Sequence, residues 1–195
     1  KRFLFASSAA VYGNSVTSHY PTPCSVYGWT KKLAEQALKD IAESSYMKVA
    51  CMRIFNIAGG NHPSKTHLIP SLIRAAKKKE RFTLTCPDDP GKIIRDYIHP
   101  ADVASAAFKL STLNFDTFAP FGVYDIGTGN GSSIADVISE IESLNGSQID
   151  IEIGPSRKGD ASSLIALPGP IKSTGWKPFY NLQDICESAW REQQI

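Results

Sequence analysis

Several things are missing from these 195 residues, and each absence excludes a class of function. No apolar run approaches the ~20 residues that a membrane-spanning helix needs. No charged-then-apolar leader opens the chain, so neither secretion nor a membrane role is indicated. The four cysteines, Cys24, Cys51, Cys86 and Cys186, form no C-x-x-C pair and have no histidine at metal spacing. They read as free thiols of a cytoplasmic protein without a metal site. Charge of one sign is also lacking: 21 basic against 19 acidic residues leaves +2, too little to point to nucleic acid. The one basic run, Lys77-Lys78-Lys79, reads as the solvated end of a helix.

A complete glycine-rich phosphate turn is absent as well. Gly127-Thr-Gly129-Asn-Gly131-Ser132, between a strand and a helix and with Asp150 downstream, imitates G-x-G-x-x-G, but serine stands at the third glycine. A tight turn followed by an N-capped helix is the better account.

What is present centres on two stretches. Arg2 to Ala6 reads as a buried strand, which puts Ser8 at its carboxyl end, where open parallel sheets bind ligands. Downstream, Ser25 is a plausible N-cap for a helix carrying Tyr27 and Lys31. Val26, Thr30, Leu33, Ala34, Ala37 and Ile41 would be its apolar core stripe, with Trp29 outside it, packing on a partner helix. Four residues apart, the phenol and the ammonium share a helix face. A phenol is a poor base at neutral pH, but a cation fixed within a few ångströms favours its phenolate and makes it a usable acid/base. A hydroxyl such as that of Ser8 can hold a substrate oxygen beside it. An ordinary amphipathic helix with a solvated lysine is the rival reading of the same spacing.

Further along, Lys48 to Asn56 reads as a second buried strand and His67 to Glu80 as an amphipathic helix. Gly91 to His99 reads as a strand leading into a helix over 101–113 with Asp102 in its first turn. Ile149 to Ile153 reads as a half-buried strand and Asn181 to Glu192 as a closing helix, with Trp176 a structural cover before it.

Taken together, Ser7-Ser8-Ala-Ala-Val-Tyr-Gly13, Val26-Tyr-Gly-x-Thr-Lys31, Arg53-Ile-Phe-Asn56 and Arg95-Asp-Tyr-Ile-His99 resemble the extended short-chain dehydrogenase/reductase superfamily. Within it the wording is similar to the UDP-glucose 4-epimerases, as are His67-Leu-Ile-Pro70, Arg157-Lys-Gly-Asp160 and Gly175-Trp-Lys-Pro178. The resemblance implies an α/β fold: the later part of an NAD-binding Rossmann sheet with a smaller α+β substrate domain. Residues 1–60, with 97–126 folding back onto them, would be the partial dinucleotide domain, and 61–96 with 127–195 the nucleotide-sugar domain. The half that grips the adenosine and pyrophosphate would precede residue 1 in a longer chain, leaving this one inactive alone.

By the same resemblance the activity is epimerisation at C4 of a UDP-sugar through a 4-keto intermediate, with NAD as cofactor. Ser8, Tyr27 and Lys31 would be catalytic, with Ser7, Tyr27, Lys31 and Phe55 at the cofactor. Ser8, Asn56, His67, Leu68, Arg95, Arg157 and Asp160 would hold the substrate, with Arg95 and Arg157 on phosphate, which a guanidinium fork matches. Core packing rivals the cofactor role for Phe55, and an ion pair with Asp96 or Asp102 rivals the phosphate role for Arg95. A homodimer is implied. A nucleotide-sugar decarboxylase or dehydratase, or a non-catalytic sugar-nucleotide binding module, would share much of this wording.

Overall fold

The computed structural model describes residues 1–17, 21–61, 64, 66–85, 89–113, 119–155 and 162–193. Its first half contains β1 (Arg2–Ser8), a 3-10 turn (Ala9–Tyr12), α1 (Val26–Ser44), β2 (Lys48–Ile54), β3 (Asn56–Ile57) and α2 (Leu68–Lys78). Then come β4 (Phe82–Thr85), β5 (Ile94–Arg95), β6 (Tyr97–Ile98), α3 (Pro100–Thr112) and β7 (Phe121–Ile126). The chain closes with β8 (Ser132–Ser133), α4 (Ile134–Asn145), β9 (Ile151–Gly154), β10 (Ser163–Leu164), α5 (Gly169–Lys172) and α6 (Leu182–Glu192).

β1, β2 and β7 form a parallel sheet in the order β1-β2-β7, and Ser8, Ile54 and Ile126 align at its carboxyl end. Successive side chains of a strand point to opposite faces. Val49 and Cys51 of β2 therefore pack under α1 with Phe5, Leu38 and Val123, while Ala50 and Met52 meet α3 through Ala106 and Leu110. Ile171 and Trp176 join that second cluster, and the Trp176 indole donates to Ser105, a structural role. β1 is less buried than its apolar run predicts, with Phe3 exposed, because among the described residues it has a strand neighbour on one side only.

The helix N-cap at Ser25 forms as expected, accepting from the Gly28 N–H, but the buried face of α1 is not the predicted one. Val26, Leu33 and Ile41 are 82%, 65% and 44% exposed. The face against the sheet carries Gly28, Lys31, Glu35, Leu38 and Ala42 instead. Two specific fits outweigh the apolar stripe. A Cβ at Gly28 would lie 2.5 Å from the Ala10 carbonyl oxygen, so this contact requires glycine, and Glu35 finds an ionic partner, Arg53, on the sheet.

In the remaining chain, α2, α4 and α6 bury Leu72, Ile73, Val137, Ile141 and Ile185 against one another. Serine and asparagine capping boxes start α4 at Ser133 and α6 at Asn181. β4 pairs in parallel with β9, and β5 lies between β10 and β8. The strand expected over 91–99 is broken into a 3-10 turn, β5 and β6, because Asp96 turns inward between two separate pairings. Lys77 is not a solvated end. Its Nζ donates to the Trp190 and Gln193 carbonyls, capping α6 from a neighbouring helix.

Candidate active site

Toward the carboxyl end of the sheet, the α1-facing side changes character. The rows Phe3-Val49-Phe121 and Phe5-Cys51-Val123 are apolar, and the next row is Ser7-Arg53-Asp125. Glu35 descends onto it from α1, accepting from the Ser7 hydroxyl at 2.5 Å and from Arg53 Nε and Nη2 at 3.1 and 2.7 Å. Arg53 also lies over the Tyr12 ring, whose hydroxyl donates to Asp125 at 2.6 Å. Burial opposes the Arg53 charge, but its hydrogen bonds to Glu35 and Tyr12 outweigh that and hold the guanidinium above its usual value. Burial, reinforced by Asp125, pushes the Tyr12 phenol well up, so Tyr12 is no base. Ser7, expected at the cofactor, is buried and donates its hydroxyl to Glu35.

Just past that row, Ser8 ends β1 and its oxygen accepts from the Ala10 N–H at 3.2 Å, leaving its own hydroxyl proton free for another acceptor. The first turn of α1 packs against the 3-10 turn that follows Ser8, through Gly28 on Ala10. Tyr27 is 55% exposed there. Lys31 Nζ lies 5.7 Å from the Tyr27 ring centroid and 5.0 Å from that of Phe5, and donates to the Ala6 carbonyl at 2.8 Å. Of the two tyrosines near the sheet edge, Tyr27 is thus the open one, with a tethered cation beside it. Phe55 packs in the core with Ala9, Tyr12 and Ala166, the packing alternative.

A cleft of about 400 Å³ gathers Asn56, His67, Leu68 and Arg95, four of the expected substrate residues. This is within the size range of small-molecule sites. Asn56, which enters this cleft, lies two residues after Ile54, the register partner of Ser8; Ser8, Tyr27 and Lys31 do not line it. Arg95 makes no ion pair with Asp96 or Asp102. Its Nη1 donates to the Ile94 carbonyl, while Asp102 accepts from the Phe179 and Tyr180 N–H groups. Thr83, Thr85 and Tyr97 also line the cleft. Sequence reading missed them; the only signal was the four-residue alternation of Phe82 and Leu84 with the threonines. Burial first pushes the Tyr97 phenol up to about 12, so it stays a neutral hydrogen-bonding group. Arg157 and Asp160 lie outside the described residues.

The glycine turn after β7 is already filled. Asp96, with no exposed surface, accepts from Thr128 N and Oγ1, Gly129 N and Ala166 N at 2.7 to 3.1 Å. The amides that would cradle a phosphate hold this carboxylate, and a side chain at residue 127 would strike it. Asp150 pairs with Arg81 just before β9, away from the three-stranded sheet.

Comparison with known proteins finds relatives that share this fold. The UDP-glucose 4-epimerase of Halalkalibacterium halodurans is 33% identical over 209 residues, covering 97% of this chain and 62% of that protein. The solved structure of MoeE5 in complex with UDP-glucuronic acid and NAD superposes with a TM-score of 0.88 at 27% identity, covering 98% of this chain and 64% of that one. That of a UDP-glucose 4-epimerase from Stenotrophomonas maltophila, with NAD and formylated UDP-arabinopyranose, gives 0.84 at 28% identity, covering 98% and 63%. This chain therefore spans under two thirds of the length of these relatives. Residues 1–127 match the NAD dependent epimerase/dehydratase family, and to that family the chain belongs.

Proposed function

We propose that this chain supplies the acid/base cluster and sugar-nucleotide cleft of an NAD-dependent UDP-sugar 4-epimerase. The observation that carries the reading is the open Tyr27 with Lys31 tethered beside it to the Ala6 carbonyl, in a chain that also gathers Asn56, His67, Leu68 and Arg95 around one cleft. Tyr27 takes the proton of the sugar hydroxyl and returns it; Lys31 supplies the counter-charge to a tyrosinate; Ser8 donates its free proton to the reacting oxygen. The donor set also fits a nicotinamide ribose, since Lys31 gives one N–H to Ala6 and keeps others for ribose hydroxyls. NAD, when bound, supplies the hydride chemistry. Arg95 and Arg157 meet the pyrophosphate, and Asp160 accepts from a ribose hydroxyl. Residues 1–60 with 97–126 serve the dinucleotide, and 61–96 with 127–195 the sugar nucleotide. Turnover requires the further length present in the relatives.

Calorimetry of UDP and UDP-glucose binding to this chain tests the cleft. Arg95→Ala should weaken binding about tenfold or more, the cost of one charge-assisted phosphate contact at roughly 1.5 to 3 kcal/mol. Unchanged affinity would refute the assignment. Conversion of UDP-glucose to UDP-galactose by the full-length protein, followed by NMR, tests the reaction itself.

The exposed stripe of Val26, Leu33, Ala37 and Ile41, at helical spacing, is proposed to pack on its own equivalent in a second copy. Sedimentation should show a concentration-dependent dimer that Leu33→Glu abolishes. A monomer at every concentration would sink the idea.

A further inference from the structure

We propose that Glu35 is a positioning residue: gripping Ser7 and Arg53, it sets the depth and rotation of α1 and so holds Tyr27 and Lys31 against the Ser8 strand end. This rests on the acid/base role proposed for Tyr27. Tyr27, Lys31 and Glu35 stand at i, i+4 and i+8 of one helix, hence on one face. The lower two are each bonded to adjacent residues of the same strand end, Lys31 to the Ala6 carbonyl and Glu35 to the Ser7 hydroxyl. Ser8, whose hydroxyl faces no protein acceptor among these bonds, is the next residue. A shift of α1 along its axis would break both attachments at once and carry Tyr27 away from Ser8.

Glu35 is the attachment with direction. Its two oxygens receive Arg53 in a forked pair while one also receives Ser7, so the carboxylate plane is set by three donors from two strands. Arg53 is in turn confined by the Tyr12 ring, and Tyr12 by Asp125 on the third strand. The helix is thereby referred to all three strands of the sheet. An apolar contact would hold α1 down equally well but would let it slide, because dispersion forces have little directional preference. A buried, fully bonded polar cluster rigidifies its surroundings. The exposed apolar stripe of α1 cannot serve this purpose, as it faces away from the sheet.

The test separates holding the helix down from holding it in register. Replacing a buried ion pair by apolar residues of similar volume is often neutral or stabilising, so Glu35→Leu with Arg53→Met should fold. In the catalytically complete protein its melting temperature should stay close to the parent's. Its kcat should fall tenfold or more with KM for UDP-glucose within threefold. Amide hydrogen exchange over residues 27–31 should quicken at least tenfold while α2 and α4 are unchanged. Glu35→Gln, which keeps the shape but turns an N–H donor toward Arg53, should lower kcat about tenfold and serves alone should the double variant not fold. Parent-like kcat and local exchange in either folded variant would overturn the proposal. Tyr27→Phe, run alongside, distinguishes the failures: if it stays active the acid/base reading falls, and if it is inactive while the Glu35 variants are not, only the positioning role falls.

Discussion

Tyr27→Phe in the catalytically complete protein is expected to lower kcat by on the order of a hundredfold or more, with the affinity for UDP-glucose changed less than about threefold. The substitution deletes one oxygen from a residue that is half exposed and that accepts or donates no structural hydrogen bond through its ring hydroxyl in the contacts described above. The fold should therefore survive, and circular dichroism should match the parent. The cleft residues Asn56, His67 and Arg95 are untouched, which is why binding should persist. Steady-state kinetics together with calorimetry on the same preparation would decide it. A Tyr27→Phe protein with near-parent kcat would reduce Tyr27 to an ordinary residue of a helix face. The same change at Tyr12 is a useful contrast. It removes the donor to the buried Asp125 carboxylate, so it should cost stability first.

The largest effect on stability is expected at Asp96. Asp96→Ala would leave the N–H groups of Thr128, Gly129 and Ala166 without their acceptor in a site with no solvent access. Each buried orphan donor costs about 1 to 3 kcal/mol before relaxation, so a loss on the order of 4 kcal/mol is expected. At roughly 2 to 4 °C per kcal/mol for a chain of this length, the melting temperature should fall by about 10 °C, measurable by calorimetry. Asp96→Asn should recover part of this, since its single carbonyl oxygen still accepts while its NH2 faces a donor. A shift of only 1 or 2 °C for Asp96→Ala would show that water replaces the carboxylate. The result bears on function as well. Asp96 ties the turn at 127–129 and the segment at Ala166 to the strand pair that presents Arg95 and Tyr97 to the cleft.

Sequence alone sufficed for what depends on near neighbours. The continuous apolar run Val49 to Met52 marks a strand buried on both faces, and Ser25 and Asn181 mark helix starts, because strand pleat and cap geometry act within three or four residues. The i, i+4 spacing placed Tyr27 and Lys31 together for the same reason. Phosphate-turn wording could be discounted at Ser132, although what occupies that turn could not be seen. Tertiary structure alone decided which side of α1 is buried. An apolar stripe is a non-directional signal, whereas Glu35 is buried only because Ser7 and Arg53, 28 positions before and 18 after it, meet it on the sheet. It likewise decided that Asp96 fills the glycine turn from 32 residues away and that Arg95 is left facing a cleft. Burying a charge is unfavourable until its partners are in place, and those partners are brought together by strand order and register rather than by proximity along the chain.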